Sequence, residues 1–374
     1  MGFDYPVISA DSHITEPPDT YTAHIDPAWR DRAPTMVTHE QHGDMFIAEG
    51  MRPIKMGLVA AAGLQPEDIR SDGLIADMHQ SGFSPETRLA DQARDGVSAE
   101  ILYPTVGMML CNHEDFDFKK ACFDAYNRWI VDYCSAAPDR LLGAGQTAAR
   151  TVAEAITDVH AIHEAGLRTV MMPGVPGEAD YDQPEWDPFW AEVAAMGIPV
   201  SFHILTTSMG KIRGSKLNSF LMIMRGIQDI MSLLVFGGVF ERHPGLKVVC
   251  VEADAGWVPH FMYRMDHGYK RHRHHIAPDD VLAKLPSEYF AENIYVTFQD
   301  DWTAFAQADH MNWRRLMWAN DFPHSDSTWP WSQDLLNEHT VDLTDEQCQA
   351  ILSTNVAELY NIDTATLPVL AAST

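Results

Sequence analysis

A few short stretches carry side chains that could do chemistry together. Asp11-Ser12-His13 sets a carboxylate and an imidazole two residues apart, and in an extended segment such residues point the same way, so both can face one point. His203, Glu252 and Asp321 each stand at the end of a short apolar run. Singly they carry little: a lone histidine at a strand end is ordinarily a polar residue satisfied by its neighbours, and an aspartate before Phe322-Pro323 a turn or cap residue. Together Asp11, His13, His203 and Asp321 supply two imidazoles and two carboxylates, a shell suited to one divalent cation, Zn²⁺ or Mn²⁺, with room for water. Glu252 reads as a further ligand, as an acid/base, or as a carboxylate orienting a ligand histidine. Acid/base work would need burial or a neighbouring carboxylate to bring its pKa near the working pH.

Such a set works only on a scaffold that makes it converge. Eight short apolar or β-branched runs recur at residues 6–10, 98–103, 141–146, 169–172, 199–203, 247–252, 293–298 and 316–320, each as expected for a strand buried on both faces. Helix-like segments lie between them at 152–164, 187–196, 218–236 and 301–308. The alternation predicts an α/β fold with a parallel sheet, and the count of eight a (β/α)₈ TIM barrel, whose strand ends meet at one mouth. An open doubly wound sheet would carry a glycine-rich turn after its first strand, where this chain has Asp11-Ser12-His13. Residues 24–80, rich in Met, Gly and Pro, read as a long insertion after the first strand. Thr344, with Gln347 three residues on, opens a closing helix over 344–360. The expectation is one distorted barrel domain over residues 1–374.

Composition narrows the partners. A hydrophobic fraction of 46% excludes disorder, and a net charge of -27 argues against a nucleic-acid or anionic-membrane surface. No run approaches the ~18 consecutive apolar residues of a transmembrane helix. Five cysteines without CxxC spacing read as reduced thiols of a cytoplasmic protein. The one dense basic tract, Lys270 to His275, reads as the solvated C-terminus of the helix after strand six, where cations complement the helix dipole.

Three stretches, 11–18, 252–267 and 321–330, resemble the metal-dependent amidohydrolase superfamily, and within it the amidohydrolase-2 subgroup that includes aminocarboxymuconate semialdehyde and resorcylate decarboxylases. The resemblance implies that Asp11 and His13 are the paired first-strand ligands, His203 the fifth-strand ligand, and Asp321 an eighth-strand ligand that also handles a proton. Binuclear members carry a bridging Lys or Glu on strand four; Val170-Met171-Met172-Pro173 offers none, which implies a single metal. The decarboxylases carry an acid/base histidine on strand six, where this chain has Glu252. In them an arginine reaches across a dimer to a substrate carboxylate, which makes Arg271 or Arg273 the counterpart and implies a homodimer or higher homo-oligomer. His324 could face substrate and Trp257 could wall its pocket. Glu16 could orient His13 or cap a turn.

The reading placed first is therefore a hydrolase. The metal activates a water, Asp321 takes its proton, and Glu252 positions or protonates a small cyclic or carboxylate-bearing substrate. The alternative uses the same shell for non-oxidative decarboxylation of an aromatic or semialdehyde carboxylate. A binding module without metal is a third class.

Overall fold

In the computed structural model, which describes residues 2–208, 210–277 and 281–371, the strands are β1 (Ile8–His13), β2 (Thr35–His39), β3 (Gly43–Ile47), β4 (Ile54–Lys55), β5 (Ala99–Tyr103), β6 (Leu141–Gln146), β7 (Thr169–Met172), β8 (Val200–His203), β9 (Val248–Val251), β10 (Ile294–Phe298) and β11 (Leu316–Trp318). Eight of them form one sheet in the order β1-β5-β6-β7-β8-β9-β10-β11, and its paired neighbours run parallel. Every residue of these eight strands is buried, as strands covered by helices outside and by each other inside must be. This is the (β/α)₈ barrel the alternation predicts.

The seam between β11 and β1 closes at the mouth. His13 N–H donates to Phe322 O (2.8 Å) and Asp321 N–H to Asp11 O (3.1 Å). Side chains finish it: Asn320 Oδ1 accepts from Ser9 and Ser12 hydroxyls, and Asn320 Nδ2 donates to Asp95. The first strand runs on past Ala10 to His13, with a register irregularity between Ser9 and Ser12.

Within 24–80 the chain forms a three-stranded antiparallel sheet, β2-β3-β4. The sequence gives no sign of it because β2 is mostly exposed and β4 is two residues long, so only β3 shows buried positions. The closing segment is helical from Asp345 to Tyr360 with a π turn over Ala350–Thr354. Its start is the expected reciprocal cap: Gln347 N–H donates to Thr344 Oγ1, and Thr344 N–H to Gln347 Oε1. All five cysteines are free thiols.

Candidate metal centre

The ends of β1, β8, β9 and β11 bring two overlapping sets of donors together, Asp11, His13, His203 and Glu252 in one and His13, Glu252, Asp321 and His324 in the other. His13 Nε2 lies 3.6 Å from Asp11 Oδ1, 3.6 Å from Glu252 Oε2 and 3.5 Å from Asp321 Oδ1. His203 Nε2 lies 3.5 Å from Asp11 Oδ1 and 3.3 Å from Glu252 Oε2.

The protonation of the two imidazoles follows from their far sides. Each Nδ1 faces a backbone carbonyl at 3.1 Å, Pro104 O for His13 and Ile204 O for His203. A carbonyl only accepts, so each Nδ1 carries the hydrogen and each Nε2 points a bare lone pair at carboxylate oxygens. Both Nε2 atoms, both oxygens of Asp11 and of Asp321, and Glu252 Oε2 have no hydrogen-bond partner. Lone pairs aimed at lone pairs in a buried site call for a cation between them, and two imidazoles with three carboxylates are a donor set for a divalent metal. Ligand atoms 3.3–3.6 Å apart fit metal–ligand bonds of about 2.0–2.2 Å.

The electrostatics agree with that need. Burial, then Asp321 and Asp11, push the Glu252 carboxyl well above its ordinary range; burial and Asp11 do the same to Asp321. Burial and the neighbouring histidines His324 and His203 hold His13 well below its usual value. A second ring of acids stands nearby: burial and the charges of Asp301 and Asp300 raise Asp254 to about 7.

His324 completes the wall. Its ring stacks on His13 with centroids 3.9 Å apart. Nε2 lies 3.0 Å from Thr105 Oγ1, whose one hydrogen goes to Ile14 O at 2.6 Å. Nε2 is therefore the donor, and Nδ1 turns its lone pair to Asp321 Oδ1, 3.1 Å away.

The structure thus brings together Asp11, His13, His203, Glu252 and Asp321, with His324 beside them. Trp257 donates its indole N–H to Ala253 O and Asp254 O, and its ring packs on Phe261 and Phe290. Arg271 and Arg273 are exposed at the far end of the helix Val258–His272. At 1.5 Å per residue that is about 20 Å along the axis from the helix start, so within one chain they do not reach the site. Glu16 is a cap: its carboxylate accepts from Val106 and Gly107 N–H groups, each at 2.9 Å, at the start of the helix Val106–Leu110.

The sequence reading missed Arg88. Fully buried, it grips Glu100 through Nε (2.6 Å) and Nη2 (3.0 Å), and donates to His13 O (2.7 Å) and Phe322 O (3.1 Å). One guanidinium so fixes both backbones that carry ligands across the seam.

The family model described as Amidohydrolase matches residues 10–362. The chain belongs to that family. A gamma-resorcylate decarboxylase of Rhodococcus jostii (strain RHA1) is 23% identical over 224 residues, covering 53% of this chain and 64%, just under two thirds, of the relative. Among solved structures, an amidohydrolase from Mycobacterium avium subsp. paratuberculosis K-10 superposes with a TM-score of 0.80 at 20% identity, covering 96% of this chain and all of that one. A 5-carboxyvanillate decarboxylase from Novosphingobium aromaticivorans DSM 12444, complexed with manganese and 4-hydroxy-3-methoxy-5-nitrobenzoic acid, gives 0.69 at 18% identity, covering 96% of each chain. At these identities the likeness shows the fold.

Proposed function

We propose that this amidohydrolase-family chain is a metal-dependent carboxy-lyase acting on a small aromatic or semialdehyde carboxylate. The observation that carries the reading is the convergence of two bare imidazole nitrogens and three carboxylates, with the Asp321–His324 pair at its edge. The decarboxylases among its relatives and structural neighbours move this reading ahead of hydrolysis.

Asp11, His13, His203 and Asp321 would hold the metal, joined by Glu252. Such a cation would supply Lewis acidity to a substrate carboxylate. Three oxygen donors beside two nitrogens favour a harder, higher-coordinate ion than structural zinc sites take, which puts Mn²⁺ ahead of Zn²⁺. Asp321 Oδ1 lies 3.1 Å from His324 Nδ1, close enough for one proton to pass between them. That proton is the one delivered to the carbon that loses CO₂. Thr105 keeps the ring in the tautomer that faces Asp321. Five free thiols suit a reducing compartment.

Hydrolysis remains the second reading, favoured by one feature: Glu252, a carboxylate able to act as a base, stands where the decarboxylases carry histidine. The test is incubation of manganese-loaded protein with 2-hydroxybenzoates and, separately, with aryl esters and lactones. CO₂ release that Asp321→Asn abolishes is the expected result. Ester or lactone turnover without CO₂ release would reverse the order, and no bound metal after chelator-free purification would sink both.

A further inference from the structure

One large side chain touches both imidazoles without being a donor to the centre. Tyr103, the last residue of β5, pairs in register with His13. Its ring centroid lies 5.2 Å from that of His203 and 6.3 Å from that of His13, and the two imidazoles are 4.9 Å apart. Each imidazole has a single hydrogen-bond contact on its far side, between Nδ1 and a carbonyl. One such bond fixes a point on the ring and leaves the ring free to pivot about it. Aiming Nε2 takes a second contact, and three rings packed in a triangle supply it.

Tyr103 is itself held from below. Ser201 stands two residues before His203 on β8 and faces the same way, one layer deeper in the barrel. The Tyr103 hydroxyl lies 2.9 Å from Ser201 Oγ, Ser201 Oγ 2.6 Å from Thr169 Oγ1, and Thr169 Oγ1 2.9 Å from Pro199 O. The last contact sets the direction of all the others. A carbonyl only accepts, so Thr169 gives its one hydrogen to Pro199, Ser201 gives its own to Thr169, and Tyr103 gives its own to Ser201. The Tyr360 hydroxyl, 3.4 Å from that of Tyr103, is left to donate. Tyr103, Ser201 and Thr169 are wholly buried, and Tyr360 is 2% exposed.

Two consequences reach the centre. With its hydrogen spent on Ser201, Tyr103 has none for Asp11, both of whose oxygens lack a partner and so stay open to a cation. Tyr360 ends the helix Asn355–Tyr360, which Asn355 Nδ2 fastens to the start of β11 through Trp313 O (2.8 Å) and Leu316 O (2.7 Å). The closing helix thus carries the far end of the chain. We infer that Tyr103 is a positioning residue of the metal centre, its ring aiming His13 and His203 and its hydroxyl pinned by the chain Tyr360–Tyr103–Ser201–Thr169. The inference rests on the reading of the centre as a metal site.

Calorimetric titration of the chelator-stripped full chain with Mn²⁺, and the visible spectrum of the cobalt-loaded chain, test this. Tyr103→Leu removes ring and chain together. It should weaken Mn²⁺ binding about 10–100-fold, as when other supports of ligand groups are lost, and shift the cobalt bands. Tyr103→Phe keeps the ring and loses the chain. It should keep parent-like cobalt bands and bind about 3–10-fold more weakly than the parent. Adding Tyr360→Phe to Tyr103→Phe should weaken binding no further, because the bond it removes is already gone. A tyrosine that only fills the core would lower the urea midpoint of the metal-free chain and leave Mn²⁺ affinity and cobalt bands unmoved. A Tyr103→Leu chain that is folded by circular dichroism, binds Mn²⁺ within twofold of the parent and keeps its cobalt bands overturns the inference. Tyr103→Phe within twofold of the parent overturns the part given to the chain, and decides alone where Tyr103→Leu does not fold. A parent that binds no metal sinks the reading of the centre, and this inference with it.

Discussion

Arg88→Met tests whether the seam that carries the ligands is held as described. The guanidinium is fully buried and makes four hydrogen bonds, two to Glu100 and one each to His13 O and Phe322 O. Methionine fills much of the same space, so the loss is chiefly polar. It leaves Glu100, itself 1% exposed, with Gln92 Nε2 as its remaining charged-site donor at 2.7 Å. It also strips a donor from two carbonyls. Removing one partner of a buried ion pair costs roughly 3–5 kcal/mol; the carbonyl losses overlap with that figure and are not added. Set against a typical stability of about 5–15 kcal/mol, the variant should fold but melt early. Urea unfolding of chelator-treated protein measures it. Arg88→Met/Glu100→Gln removes the orphaned charge and should recover roughly 1–2 kcal/mol. Metal affinity should fall as well, by about 10–100-fold, as when other supports of ligand groups are lost. A loss below about 1 kcal/mol with metal affinity unchanged would refute the reasoning, since a clamp that matters to neither fold nor ligands is no clamp.

Four further outcomes follow from the same geometry. His203→Ala should drop metal content after dialysis from about one equivalent per chain to a small fraction of it, read by elemental analysis; full retention would remove His203 from the ligand set. Burial raises the Asp95 carboxyl to about 7 against its bonds from Ser332 and Asn320, so the folded chain keeps a proton the unfolded chain has released, and stability falls as pH rises from about 4 through 7, by up to about 4 kcal/mol. Asp95→Asn should flatten that slope in urea melts taken at pH 5, 6, 7 and 8. Glu16→Ala should cost about 1–3 kcal/mol by orphaning the buried Val106 and Gly107 N–H groups, seen as a lower melting temperature. Glu252→Gln should stabilise the metal-free protein by about 1–2 kcal/mol, because it takes one carboxylate out of a buried cluster of them, yet shrink the gain in melting temperature on adding Mn²⁺; the same sign in both states would contradict the cluster.

What could be read from the chain was whatever leaves a local pattern. The eight barrel strands are continuous apolar runs, and a run buried on both faces announces itself. Asp11, His13, His203 and Asp321 stand at the ends of such runs, so their convergence follows from the barrel. Arg88 left no such mark: in Pro-Glu-Thr-Arg-Leu-Ala-Asp-Gln-Ala-Arg-Asp it looks like one more charge on a solvated helix face, and Arg94 one turn and a half later is exposed. Only the seam's geometry turns Arg88 inward. Ser9, Ser12 and Asn320 are small polar residues whose bonds span more than 300 positions of sequence. The role of Glu252 as ligand, acid/base or orienting carboxylate was open for a similar reason, since nothing in Val-Glu-Ala-Asp says how far its carboxylate turns over the mouth.

The backbone turns it there. Asp11, His13 and His203 reach the site from within β1 and β8, whereas a residue just past a strand end reaches it by leaving the strand sharply. Glu252, Asp254 and Asp321 all do so in the left-handed region, at φ of 61°, 53° and 53°, where a side chain costs about 1–2 kcal/mol. The surroundings hold each in place. Thr297 Oγ1 accepts from Glu252 N–H at 2.8 Å, Asp301 accepts from Ala255 and Gly256 N–H, and Asn320 Oδ1 accepts from Phe322 N–H at 3.2 Å. The charges of Asp301 and Asp300 raise Asp254, which puts it in the acidic rim, while Glu252 is the one that faces both imidazoles. Strain and like-charge crowding so fall on the same residues, and a divalent cation relieves the second while the barrel tolerates the first. A fold that spends stability at one point, and orders neighbouring bonds to keep that point rigid, has the arrangement expected of a site built to bind its cation tightly and in one geometry.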